Sequence, residues 1–186
     1  DGQGFRHVHP ALDDTGTWSL PWAWEQAGAY RVYADFTPAD AEDPVTLSRT
    51  VTVGGDVVPV ETSPQRTDEV DGYTATLTGE LTAGTPGDLS IEITREPYLG
   101  AFGHLVALRE GDLAFLHVHP EGQEPDAGQS GGPEIRFAAT APTAGRYLLY
   151  LDFQIDGQVR TAEFVLDAPH ADADSAEHDD SPSEGH

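Results

Sequence analysis

The chain has 186 residues, enough for one or two domains with a sizeable core. It carries 33 acidic residues against 9 basic ones, a net charge of −24, and that field repels nucleic-acid phosphates and anionic membranes while attracting cations. Cysteine and methionine are both absent, which excludes disulfides, thiolate chemistry and soft thioether ligands.

No apolar run approaches the roughly 20 residues that span a bilayer, so no membrane insertion is expected. All nine basic residues are arginines, and an acid-rich, lysine-free surface suits either a saline setting or a biased genome. The first residue is Asp1 rather than an initiator methionine, and the expectation is a processed, extracytoplasmic protein, secreted or held in the cell envelope.

Short alternating runs rich in Val, Tyr, Thr and Leu dominate, punctuated by Gly, Pro and Asp. In chain order they fall near 5–9, 17–24, 29–36 and 46–53, and then near 72–78, 88–94, 102–109, 113–119, 134–140, 146–153 and 159–166. No stretch has a helical period. Seven strands in about 100 residues suggest an immunoglobulin-like antiparallel sandwich, so the predicted fold class is all-β.

Two blocks recur. His7-Val8-His9-Pro10 is repeated at His117–Pro120, and Ala27–Phe36 is answered by Ala144–Phe153, both of these ending in Tyr-x-Asp-Phe. The offsets, 110 and 117 residues, leave a seven-residue insertion in the second copy. A period this long marks a duplicated domain rather than a solenoid. The expectation is therefore two tandem sandwich repeats, the first truncated at its N-terminus. Residues 1–56 would form an incomplete four-stranded repeat with an open edge and a half-covered core holding Trp18, Trp22 and Trp24. Residues 57–69 would be a linker and 70–167 a seven-stranded repeat. The tail, 168–186, is acidic and contains histidines, and it is expected to be disordered.

The histidines carry the chemistry. Residues i and i+2 of a strand share a face, so His117 and His119 should project together, as should His7 and His9. A two-residue turn at Glu110-Gly111 would set Arg109 against Asp112 and His104 directly across from His117. His104, His117 and His119 would then converge on one patch suited to Cu(II) or Zn(II), with Asp152 as a fourth ligand or as the acceptor that orients an imidazole. A one-residue change in the loop would scatter the triad. Beside this stands the plainer reading, in which the histidines are hydrogen-bonded structural residues of an interaction module. No phosphate loop, nucleophile elbow or paired-carboxylate signature is present, so a non-enzymatic role is expected.

The run Pro97–Arg109, followed by Gly111–Pro120, resembles a group of exported bacterial two-repeat His-x-His-Pro β-sandwich proteins. Their closing strands are similar to Gly145–Phe153 and Arg160–Phe164. The group is similar in setting to envelope proteins of heavy-metal handling, and the resemblance implies the fold more than an activity. Gly4-Phe5-Arg6-His7-Val8-His9 is more weakly similar to a strand of copper–zinc superoxide dismutases. This chain has neither their disulfide cysteines nor a histidine-rich zinc loop, so such a metalloenzyme is a remote alternative. Any protein partner is left undetermined.

Overall fold

The computed structural model describes residues 4–39, 43–94, 102–116, 118–121 and 134–171, apart from the side chains of Thr94, Phe102 and His119. The chain is all-β, and no helix long and apolar enough to cross a membrane occurs among these residues. It divides into two units, Asp1–Thr62 and Ser63–His186.

The first unit holds two separate hairpins. Strands β1 (Ala11–Leu12) and β2 (Trp18–Ser19) pair around a turn built by Asp13. The Asp13 carboxylate accepts the Thr15 and Thr17 amides at 2.8 and 2.9 Å, and Gly16 supplies the left-handed backbone. Strands β3 (Gly28–Phe36) and β4 (Val45–Val53) form a nine-residue ladder. The strand expected at 5–9 does not form, and only Trp18–Ser19 of the run 17–24 is strand. A strand needs a neighbouring ladder, and no described strand flanks residues 5–9. No described residue of this unit is buried.

The second unit is a sandwich. Its strands are β5 (Thr67–Val70), β6 (Tyr73–Gly79), β7 (Pro86–Thr94), β8 (Phe102–Arg109), β9 (Phe115–Leu116), β10 (Val118–Pro120), β11 (Glu134–Thr140), β12 (Gly145–Ile155) and β13 (Gln158–Ala168). One sheet runs β10-β11-β7-β6-β5 and the other β13-β12-β8-β9, all pairs antiparallel. A single core lies between them. Alternate residues of β12 (Tyr147, Leu149, Leu151, Phe153) and of β13 (Phe164, Leu166) meet Tyr73, Leu77, Leu89, Ile91 and Phe137 of the opposite sheet.

Two chain segments change sheets and so close the sandwich. Gln65 bridges Val165 of β13, and the chain then continues into β5 beside β6. At the other edge the run expected as one strand, 113–119, is divided: β9 stays on β8, while β10 crosses to β11. Residues 65–70, expected partly as linker, thus belong to the sandwich.

Asp71-Gly72 and Asp156-Gly157 make two-residue hairpins in which both residues have positive φ, as type I′ turns require. Each of the five described arginines of this unit holds a carboxylate, the least exposed being Arg160, which reaches Asp71 at 3.1 Å and lies over the Tyr73 ring.

Truncating Leu149, fully buried, should cost about 2–5 kcal/mol in urea denaturation, whereas Val159→Ala on the exposed hairpin should stay within about 0.5 kcal/mol. Gly79→Ala should be as damaging as the core truncation. Its φ is +98° and a Cβ there would stand 2.2 Å from the Asp88 carbonyl oxygen. Equal melting curves for the Leu149 and Val159 variants would contradict this core.

Candidate functional site

The β8–β9 hairpin decides how the histidines are arranged. Ala107 pairs with Leu116 and Leu108 with Phe115, so opposed residue numbers sum to 223 rather than the 221 expected. The loop is Glu110–Leu113, closed by the Arg109 amide to the Ala114 carbonyl at 2.9 Å, with Gly111 and Leu113 both at positive φ. Arg109 and Asp112 do meet, but through side chains: Nε donates to Oδ1 at 3.0 Å and the second guanidinium nitrogen to Oδ2. That ion pair, with the Ala114 amide on the same carboxylate, favours the longer loop over a two-residue turn.

The correction is two residues, so parity is kept. This register sets position 119, not 117, against His104, and the chain leaves the sheet before reaching it, because β10 pairs Val118 with Ala139 and His119 with Ala138. His117 lies outside the described residues, and so does the predicted convergence of three imidazoles. Among the described residues no three His, Asp or Glu side chains are gathered as a metal cluster.

What the structure does bring together is a row across the second sheet. His104 of β8, Asp152 of β12 and Thr161 of β13 are successive cross-strand partners. Leu105, Leu151 and Ala162 beside them belong to the core, so the row lies on the opposite face. His104 is exposed, whereas Asp152 is the one buried charged residue among those described. Thr161 donates its hydroxyl to Asp152 Oδ1 at 2.5 Å. The same face continues through buried Leu148 and Tyr150, and burial, followed by the charge of Glu163, holds the Tyr150 hydroxyl pKa well above its ordinary value.

Thr161 escaped notice in the sequence, although the Asp156-Gly157 turn fixes a sum of 313 and so pairs it with Asp152.

Three devices of this hairpin recur in β3–β4. Tyr147 donates to the Thr143 carbonyl at 2.8 Å and Tyr30 to the Gln26 carbonyl at 2.9 Å, the same four-residue step back. Asp35 pairs with Thr46 and accepts its hydroxyl at 2.9 Å, as Asp152 does from Thr161. Gly145 and Gly28, at the heads of β12 and β3, both have positive φ, 145° and 153°. His7 and His9 lie in the segment without a ladder, exposed, with ring centroids 4.9 Å apart. Nearby, Arg6, Trp22, Trp24, Glu25 and Tyr30 line a shallow groove.

Removing the Thr161 hydroxyl as Thr161→Val leaves a buried carboxylate short of one donor. It should cost about 1–3 kcal/mol in urea denaturation, and an unchanged midpoint would remove Asp152 from this bond. The Arg109 ion pair lowers the Asp112 pKa to about 2, so its stabilisation is complete above the ordinary carboxylate range and is lost as pH falls toward 2. Asp112→Asn should therefore flatten the acid limb of thermal stability between about pH 4 and 2. The pair is exposed, so the difference should shrink in high salt. Parallel acid limbs would contradict it.

No curated protein matches this chain. Among solved structures it is similar to one described as "Putative Lipoprotein from Bacillus anthracis", at 12% identity and a TM-score of 0.38, over 59% of this chain and 87% of that one. Residues 68–170, more than half of the chain and nearly all of the described sandwich, match the model of the family described as Domain of unknown function (DUF8832), and to that family the chain belongs.

Proposed function

We propose that the protein is an extracytoplasmic, non-enzymatic metal-binding protein that takes Cu(II) or Zn(II) on the outer face of the β13-β12-β8-β9 sheet. The observation that carries this reading is the direct opposition of His104 and Asp152 in the β8–β12 ladder. An exposed imidazole beside a buried carboxylate is the pairing that fixes a ligand's tautomer and raises its basicity. His117 is the further ligand in this reading; His119, also expected as one, is paired with Ala138 in the other sheet. The net charge of −24 concentrates cations at the surface, and the acidic tail with His170, His178 and His186 adds loose capture. His7 and His9 would form a weaker second pair.

The test is titration of the full chain with Cu(II) and with Zn(II), followed by calorimetry. His104→Ala should weaken the tightest site about tenfold or more, and Asp152→Asn should do so to a similar degree. The tail is unchanged in both variants, so loose capture is common to every measurement. Binding by His104→Ala as tight as that of the parent chain would overturn the reading.

A second reading, an interaction module, is favoured by a separate observation. Of the large apolar residues that are exposed among those described, all but Val159 lie in the first unit, Trp18, Trp22 and Trp24 among them.

A further inference from the structure

We propose that Asp156-Gly157, the turn between β12 and β13, is a site of spontaneous isoaspartate formation, and that Arg160 shields the matching turn Asp71-Gly72 until the first has reacted. The inference lies outside the metal reading and does not depend on it. It starts from two turns of one kind. Both are Asp-Gly hairpins with positive φ at each residue, 53° and 75° in the β12–β13 turn and 52° and 78° in the β5–β6 turn. All four residues are exposed, and a Cβ built on either glycine meets nothing within 4 Å, so the two backbones are equally open.

The chemistry needs only an aspartate and the amide that follows it. The Gly157 nitrogen attacks Cγ of the Asp156 carboxyl in its acid form. A C–N bond forms, and the carboxyl hydroxyl departs with the amide proton as one water. A second water then opens the five-membered imide. Attack at the Cγ carbonyl restores aspartate, whereas attack at the main-chain carbonyl leaves the chain running through Cβ and Cγ as isoaspartate. No oxidant or cofactor enters. Glycine suits the step because no Cβ crowds the attacking nitrogen, and the rate depends on how freely the carboxyl reaches that nitrogen.

The two carboxylates are not equally free. Arg160 donates Nε to Asp71 Oδ2 at 3.1 Å. The guanidinium is itself fixed by the Ile155 and Gln158 carbonyls, both at 3.2 Å, by the Gln158 side chain at 2.8 Å and by the Tyr73 ring. Among the described residues, no hydrogen bond or ion pair engages the Asp156 carboxylate or the Gly157 amide. Ile155 and Gln158 are also the pair that closes the Asp156-Gly157 turn. Isoaspartate adds a main-chain carbon between them, which a two-residue turn cannot take without parting the pair. Arg160 then loses two anchors and Asp71 its restraint, so residue 156 reacts first and residue 71 second.

The chain has no asparagine, so any isoaspartate in it comes from aspartate, and cleavage at arginine puts the two sites on separate peptides, 67–95 and 147–160. The experiment holds the full chain for weeks at physiological temperature and mildly acidic pH, then reads isoaspartate in each peptide by electron-transfer fragmentation. It should accumulate at residue 156 at least about tenfold faster than at residue 71, and residue 71 should rise after a lag. Asp152, in the same peptide as Asp156 but buried, should stay unmodified. Arg160→Gln should bring the two rates together. Asp156→Glu, which would have to close a six-membered ring, should abolish the late rise at residue 71 while leaving Arg160 in place. Equal rates at residues 71 and 156 in the folded parent chain would overturn the proposal. An excess at residue 156 that persists in urea would also overturn it, because neighbouring sequence rather than Arg160 would then set the difference.

Discussion

The sandwich depends on the covering of one sheet face by another. Tyr147, Leu149, Leu151, Phe153, Phe164 and Leu166 all point inward from β12–β13, and each is at most 2% exposed because β6, β7 and β11 lie across from them. A single hairpin with that composition would be marginal in water. The cover is held in place at both edges by chain that belongs to both sheets, through Gln65–Val70 on one side and β9–β10 on the other. Chain that crosses between the sheets at both edges shortens the unpaired ladder left open to association.

The first unit shows what the same hairpin is without its cover. Tyr30, Val32 and Phe36 occupy the positions of Tyr147, Leu149 and Phe153, yet Val32 and Phe36 are 44% and 45% exposed. Local devices survive the loss, since a tyrosine hydroxyl reaching four residues back and a threonine reaching across the ladder need only the hairpin itself. Burial does not survive, because it needs a partner. Among the described residues one sequence pattern therefore yields both a core and an exposed apolar surface, and the core is where β6, β7 and β11 lie across it.

Legibility in the sequence followed the range of the interaction. Strand positions from Tyr73 onward and the long β12–β13 hairpin could be read from alternation and from turn chemistry, and the immunoglobulin-like order implies β12 beside β8. The Asp-Gly pairs at 71–72 and 156–157 even fix their registers. Glu110-Gly111 is a weaker signal. The competing bond from Arg109 to Asp112 turned an expected two-residue turn into a four-residue loop. The change of sheet between Leu116 and Val118 has no local mark, since the residues on either side read as one alternating run. The missing strand at 5–9 was equally hidden, because alternation states which face a residue would take, not whether a neighbour exists.

One register position recurs in the two hairpins. Asp152 lies beside β8, where a cross-strand imidazole opposes it, and Asp35 takes the corresponding place in the β3–β4 hairpin. Both aspartates are held by a threonine from the following strand, so both carboxylates are oriented before any ligand arrives. Asp152 is buried and Asp35 is exposed, so equal geometry meets unequal dielectric. A cation beside Asp152 would feel a field less screened by water than one beside Asp35. The same carboxylate geometry therefore exerts the stronger field where neighbouring strands exclude water, and that sets Asp152 apart from Asp35.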